Sequence, residues 1–191
     1  MEELTAGEGL ILTGTTLKSD AVVLASSTTQ TGPVNTTTPT ALFTHTIPAN
    51  SLVAGDVLRL TMTGTYGNNG QSVNNTLRIK LGGTNLIASA AYAVTNASAN
   101  TRTWTAQVDL YIQSTTAQKA SYFGLGANAA VGTLATSVQT GNHPMALLGY
   151  GTGTVDLSSD RDLVVECEFS LAHSSVFIYA QAASLVKLLA P

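Results

Sequence analysis

The chain has 191 residues, a formal net charge of −3 and an apolar fraction of 44%. Only 10% of its residues are charged, against about 25% in typical soluble domains. The length suits one domain with an extension at one end, and the apolar fraction argues against a disordered chain. The eight Lys and Arg residues form no cluster, which excludes nucleic-acid binding as the main role. No run of about 18 apolar residues occurs, so no membrane insertion is predicted.

The first forty residues are predicted to be an extended N-terminal arm. Residues 26–40 are nearly all Ser, Thr, Gln, Gly, Pro and Asn, a composition that buries little surface and is typical of a linker. We therefore place a domain boundary near residue 40, with residues 41–191 as a second unit. One short apolar run lies between glycines near the start of the arm: Leu10, Ile11 and Leu12.

Apolar and polar residues alternate with a period of two in four later segments. This period puts successive side chains on opposite faces of an extended chain, so each segment is predicted to be a strand with one buried and one wet face. The four segments are 57–65, 76–81, 103–113 and 163–171. Weaker strand candidates are 43–47, 85–94, 118–126, 131–140 and 150–157.

Turn residues separate these predicted strands. Asn69-Gly70 lies between two of them and predicts a β-hairpin. Gly82-Gly83 predicts another tight turn. No long segment has a helical period. About eight short strands joined by turns predict an all-β, antiparallel jelly roll or β-sandwich.

The last predicted strand, residues 175–189, carries bulky apolar residues on both faces. A strand of this kind is either central in a sandwich or buried against another subunit. We take four of its residues as a candidate subunit interface: Phe177, Tyr179, Leu185 and Val186. Cys167 lies on the apolar phase of its strand and is predicted to be a small core residue.

No catalytic, cofactor-binding or metal-binding constellation is evident in the sequence. The three histidines share no metal-ligand spacing. Gly124 to Ala129 loosely matches a dinucleotide fingerprint, but the context is strands, so we interpret it as a Gly/Ala-rich strand or loop. Tyrosines 66, 92, 111 and 150 could form a sugar-stacking platform, although packing is the favoured interpretation. Three carboxylates could bind calcium or belong to a solvated turn: Asp156, Asp160 and Asp162.

One stretch of the sequence resembles a known family. Tailed-bacteriophage virion proteins contain jelly-roll modules that are similar to several segments rich in strand and turn signals, namely residues 42–52, 55–61, 64–66, 68–69 and 77–83. Such modules occur in head decoration (cement) proteins and in tail-fibre tips. The resemblance covers roughly residues 41–190. It implies a homotrimer around a three-fold axis.

The leading hypothesis is therefore a non-enzymatic capsid decoration protein on the outer surface of the virion. Its partners would be its own copies and the major capsid protein, which the arm would reach by adding strands to exposed sheet edges. The first alternative is a tail-fibre tip that recognises a host surface glycan. The second is a glycan hydrolase, which needs two carboxylates at a suitable separation.

Overall fold

A computed structural model describes residues 10–13, 16–19, 21–68, 70–94, 97–127, 138–139 and 145–188. These residues form fourteen β-strands and no helix. An antiparallel sheet of seven strands packs on one of five strands around a shared apolar core, and a two-stranded sheet lies near the N-terminus. The predicted all-β sandwich fold is confirmed, with more strands than the expected eight. None of the described segments is a helix that could cross a membrane.

The strands follow one another along the chain with mostly short connections. Their bounds are β1 Leu10–Thr13, β2 Thr16–Ser19, β3 Ala21–Ser27, β4 Thr40–Ile47, β5 Val57–Asn68, β6 Val73–Leu81, β7 Thr84–Ala88, β8 Tyr92–Val94, β9 Ala97–Ser114, β10 Ala117–Ala127, β11 Val138–Gln139, β12 Leu148–Gly153, β13 Arg161–Phe169 and β14 Val176–Leu188.

The seven-stranded sheet has the order β10, β9, β5, β14, β3, and both β11 and β12 pair with the outer side of β10. The five-stranded sheet has the order β4, β13, β6, with β7 and β8 both paired to β6. The four alternating segments of the sequence are confirmed as β5, β6, β9 and β13. In β5, for example, Leu58, Leu60 and Met62 are buried, and Arg59 and Thr61 between them are exposed. Cys167 is fully buried, as predicted.

The hairpin predicted at Asn69-Gly70 is wrong, because β5 and β6 belong to different sheets. The buried Asn68 side chain explains the difference. Its amide nitrogen donates to the Gln71 carbonyl oxygen at 3.0 Å, and its amide oxygen accepts from the Gln71 backbone N–H at 3.2 Å. These bonds close a local loop, from which the chain crosses to the opposite sheet.

The tight turn predicted at Gly82-Gly83 is confirmed. It joins β6 to β7, which pair directly as an antiparallel hairpin. The φ angles are 53° at Gly82 and 82° at Gly83, a left-handed conformation in which a side chain would be strained. Glycine at both positions therefore fixes the register of this hairpin.

The second half of the predicted arm lies on the sandwich. Strand β3 pairs with β14 from Ala21 to Ser27, and the chain then continues along the same edge of β14. Isolated bridges join Thr31 to Ala180 and Val34 to Phe177. The polar composition of residues 26–40 led the sequence prediction to a linker, and the apolar run from Ala21 to Ala25 before it was missed as a strand. The division of the chain into two units near residue 40 stays a prediction.

Strand β14 changes its inward phase half-way along. Val176, Ile178 and Ala180 face the core, and after a register shift Ala183 and Leu185 do so. Gln181 is the extra residue of this β-bulge, since Ala180 pairs with Gly64 and Ala182 pairs with Thr63. A bulge moves the side chains that follow it to the other face of the strand. β14 is thus a central strand, paired with β5 on one side and with residues 21–35 on the other.

Candidate functional surface

The outer face of the seven-stranded sheet, turned away from the core, holds most of the large exposed apolar side chains of the described strands. Leu148 is 82% exposed, Tyr150 63%, Phe123 46% and Tyr111 40%. Phe123 on β10 pairs directly with Leu148 on β12, and Ser121 pairs with Tyr150. We call Phe123, Leu148 and Tyr150 the β10–β12 patch.

Glycines on the inner side of β12 explain why its bulky residues all point outward. Gly149, Gly151 and Gly153 alternate with Leu148, Tyr150 and Thr152. A Cβ added at Gly151 would lie 1.8 Å from the Leu86 carbonyl oxygen of β7, and one at Gly153 would lie 2.2 Å from the Leu86 side chain. β12 therefore packs its backbone against the other sheet. Its side chains cover no part of the core and remain on the surface.

An ion pair lies beside this patch on the same outer face. The Arg59 guanidinium donates two hydrogen bonds to the Asp109 carboxylate, at 2.8 and 3.0 Å. Gln107 donates a further bond to Asp109 at 2.9 Å, and the Tyr111 hydroxyl lies 3.4 Å from the same carboxylate. The hydrogen bond and charge of Asp109 raise the pKa of Arg59. The carboxylate is thus used to hold neighbouring strands in register and is not free to act as a base.

A cavity of about 480 Å³ opens on the same face. Its walls are Thr63 and Thr65 of β5, Thr103 and Thr105 of β9, Leu125, Gly126 and Ala127 of β10, and Gln181 of β14, with Gly64 and Trp104 at its base. The Trp104 indole N–H is buried and has no hydrogen-bond partner among the described residues. The walls carry methyl groups, hydroxyls and one amide but no charged side chain. The cavity can therefore accept an apolar or neutral polar group.

The outer face of the five-stranded sheet differs in charge. Lys80 lies 2.6 Å from Glu166, and Arg78 lies 2.6 Å from Glu168 and 3.5 Å from Glu166. These four side chains join β6 to β13 across their paired backbones. Their charges cancel within the group, so this face presents a balanced ionic surface.

The predicted interface residues of β14 lie in two different environments. Phe177 and Tyr179 are half-buried on the outer side, with ring centroids 5.0 Å apart, and Val186 is half-buried as well. Leu185 is 0% exposed, so its inclusion in a surface interface was wrong. The bulge at Gln181, which the sequence pattern does not reveal, turns Leu185 into the core.

The predicted capsid-contact residues, Leu10, Ile11 and Leu12, form β1. It pairs with β2 as a small antiparallel hairpin in a sheet of its own. The side chains of both strands lie outside what the structure describes. Their role as a capsid contact stays a prediction.

The three candidate calcium ligands each have a partner within the chain. Asp160 accepts the Ala49 backbone N–H at 2.8 Å, and Asp162 accepts the Thr46 hydroxyl at 2.6 Å. Asp156 accepts the Ser158 backbone and hydroxyl donors, which lower the pKa of its carboxyl group. The bonds of Asp160 and Asp162 tie the β12–β13 connection and the start of β13 to the end of β4, and those of Asp156 stay within the connection. Among the described residues, no group of three or more His, Cys, Asp or Glu is arranged to hold a metal.

The histidines and tyrosines do not gather at one place. His45 is half-buried on β4 and His173 is exposed beside Ser175, at 2.8 Å, whereas His143 lies outside the described residues. Tyr66 is fully buried, and burial raises the pKa of its hydroxyl. Tyr111 and Tyr150 share the outer face of the seven-stranded sheet. Nothing is described of the side chain of the fourth predicted platform residue, Tyr92.

The sequence matches no protein-family model and no curated protein. Among solved structures, the chain is similar to peanut lectin with a 9mer peptide (PVIWSSATG), at a TM-score of 0.36 and 9% identity over 88% of each chain. A likeness at this level bears on neither ligand nor activity.

Proposed function

We propose that this chain is a non-enzymatic structural protein of a virus particle, a trimeric decoration protein that binds the outer surface of a phage capsid. The observation that supports this proposal most is the outer face of the seven-stranded sheet. It combines a large exposed apolar patch with few charges, a surface that favours association with protein.

The state of the acidic residues supports a non-enzymatic role. A glycan hydrolase needs one carboxylate free to donate a proton and another free to act as a base or nucleophile. In the domain, Asp109, Glu166 and Glu168 are in ion pairs. Asp156, Asp160 and Asp162 accept hydrogen bonds from within the chain. Each of these six carboxylates therefore has a partner that gives it a structural role in the fold.

The N-terminal hairpin is proposed as the capsid-binding arm. Strands β1 and β2 pair with each other, and β3 begins at Ala21 on the edge of the sandwich. The part of the predicted arm proposed for capsid binding is therefore residues 1–20, ahead of β3. Strand addition by such a hairpin would supply backbone hydrogen bonds to an edge of a neighbouring subunit.

Cosedimentation with assembled, undecorated capsids tests this proposal. The intact chain should saturate the shell at a fixed ratio to the major capsid protein. A variant lacking residues 1–20 should remain folded but bind at least about tenfold more weakly. Deletion of residues 1–35 is the wrong control, because it removes the strand that covers β14. The decoration proposal fails if intact protein does not bind shells, and the arm's role fails if the truncated protein binds as tightly.

A glycan-binding tail-fibre tip is the second candidate. The exposure of Tyr111 and Tyr150 on one face favours it, since aromatic rings can stack on sugars. A glycan array, with Tyr150→Ala as the comparison variant, distinguishes the two candidates. Binding that is lost in the variant would support the tip, and an array without any binding would count against it.

A further inference from the structure

The β10–β12 patch is apolar, and none of the residues that the structure describes covers it. Phe123 and Leu148 stand opposite each other on paired strands, and Tyr150 lies two residues further along β12. Leu148 has more of its surface exposed than any other large hydrophobic residue described. Exposed apolar clusters of this kind are uncommon on monomers and mark contact surfaces.

We propose that the β10–β12 patch is the surface through which this chain binds a second copy of itself. This inference goes beyond the proposed function, because two identical patches that face each other form a two-fold pair, a contact additional to the proposed three-fold trimer and independent of capsid binding. It places a contact between copies at the β12 edge of the seven-stranded sheet, whereas the sequence had placed the subunit contact on β14, with β10, β9 and β5 in between.

The charge of the surrounding face favours an identical partner. Arg59 and Asp109 neutralise each other in a two-bond ion pair. Lys119 is the other charged residue among the outward positions of β5, β9 and β10 between Arg59 and Leu125. Two copies of a strongly charged face would repel each other. When two copies of this face approach each other, few like charges come close, so electrostatic repulsion does not oppose the apolar contact.

The size of the face is sufficient for a stable contact. The part of the face around the patch is four strands wide, from β12 to β5, and the outward residues of β10 from Lys119 to Leu125 mark four rows. At about 4.8 Å between strands and about 6.8 Å between rows, this part covers roughly 500 Å². Two copies would bury roughly 1,000 Å² in total, the size that a specific protein–protein interface needs to reach. The apolar patch would form one end of this area and the uncharged cavity wall at Leu125 would lie one row away.

The test is the molar mass of the full chain in solution, measured by light scattering over a concentration series. The variants are the double substitution Phe123→Ser with Leu148→Ser, and the single substitution Leu148→Lys. Val53→Ser is the matched control, because Val53 is 58% exposed in the loop before β5. Circular dichroism establishes that each variant keeps its β structure.

We expect the wild-type chain and V53S to associate equally, and both patch variants to associate about tenfold or more weakly. If the double variant fails to fold, Leu148→Lys still tests the patch. A lysine at this exposed position is solvated in the single chain and leaves the fold intact, but it would be buried in the contact. A wild-type chain that is monomeric at every concentration overturns the inference. So do patch variants that keep the wild-type mass. If such variants also lose capsid cosedimentation, the patch binds the capsid protein, and the decoration proposal stands without this self-contact.

Discussion

Strands β14 and β12 belong to the same sheet but differ in how their apolar residues are covered. β14 has bulky residues on both faces and is central, one of the two alternatives that its sequence predicted, with β5 on one side and residues 21–35 on the other. β12 has a glycine at every second position, yet it leaves Leu148 and Tyr150 on the surface. Side-chain bulk alone therefore does not predict which strand has uncovered apolar surface. The two strands differ in edge pairing, because β14 has neighbours along both edges and β12 pairs with β10 alone among the described strands.

The largest expected effect distinguishes two adjacent residues of β14. Leu185→Ala should lower the free energy of unfolding by about 2–5 kcal/mol, because Leu185 is fully buried in the core. Val186→Ala, on the outer side, should cost far less. Urea denaturation of both variants measures the difference. Equal losses, or a larger loss at Val186, would mean that the bulge at Gln181 does not shift the phase of the strand.

The glycine side of β12 gives the next largest effect. Gly151→Ala should destabilise the fold by about 1–3 kcal/mol, since its Cβ would lie 1.8 Å from the Leu86 carbonyl oxygen and force the two sheets apart. Thr152→Ala, at the neighbouring exposed position, is the control and should change stability little. Thermal denaturation of the two variants provides the measurement. A Gly151→Ala variant as stable as the wild type would show that β12 does not pack closely on β7.

A buried thiol in β13 tests whether the core beneath both strands is closed to water. Burial raises the pKa of Cys167 to about 12, from a value of 9.0 in an open chain. Above about pH 9 the unfolded chain can lose this proton and the folded chain cannot, so stability should fall as the pH rises, by at most about 1.4 kcal/mol per pH unit. Denaturation midpoints between neutral and alkaline pH should fall more steeply for the wild type than for Cys167→Ala. Parallel pH profiles would contradict a sealed core.

The smallest expected effect is on the stability of the single chain when the patch is changed. Leu148→Ser should alter the free energy of unfolding by no more than about 0.5 kcal/mol, since Leu148 is 82% exposed. The measurement is urea denaturation at a concentration where the chain is monomeric. A loss comparable with that of Leu185→Ala would mean that Leu148 is covered within its own chain.

Most of the fold prediction came from the local alternation of apolar and polar side chains. The strands around Leu60, Ile79, Val108 and Val165 were predicted because each has one buried and one exposed face. The Gly82-Gly83 turn was predicted correctly for the same local reason. The hairpin at Asn69-Gly70 failed because the decisive contact is the buried Asn68 amide, which no turn motif records.

The candidate surface was less accessible to sequence reasoning. The bulge at Gln181 turns Leu185 into the core. Pairing with β3 and residues 31–35 covers one edge of β14. Both depend on strand pairing between residues far apart in the sequence. The signal that could have located the patch was present in Leu148-Gly149-Tyr150-Gly151-Thr152-Gly153. Alternating glycines in a strand indicate that another backbone approaches closely on that side, which forces the bulky residues to the opposite face.

Hydrogen–deuterium exchange of the wild-type chain at low and high protein concentration compares β12 and β14 within one molecule. We expect amides of β10 and β12 to exchange more slowly as concentration rises, while those of β14 stay unchanged. Protection that increases in β14 and not in β12 would contradict a contact through the β10–β12 patch and return it to the strand that the sequence favoured.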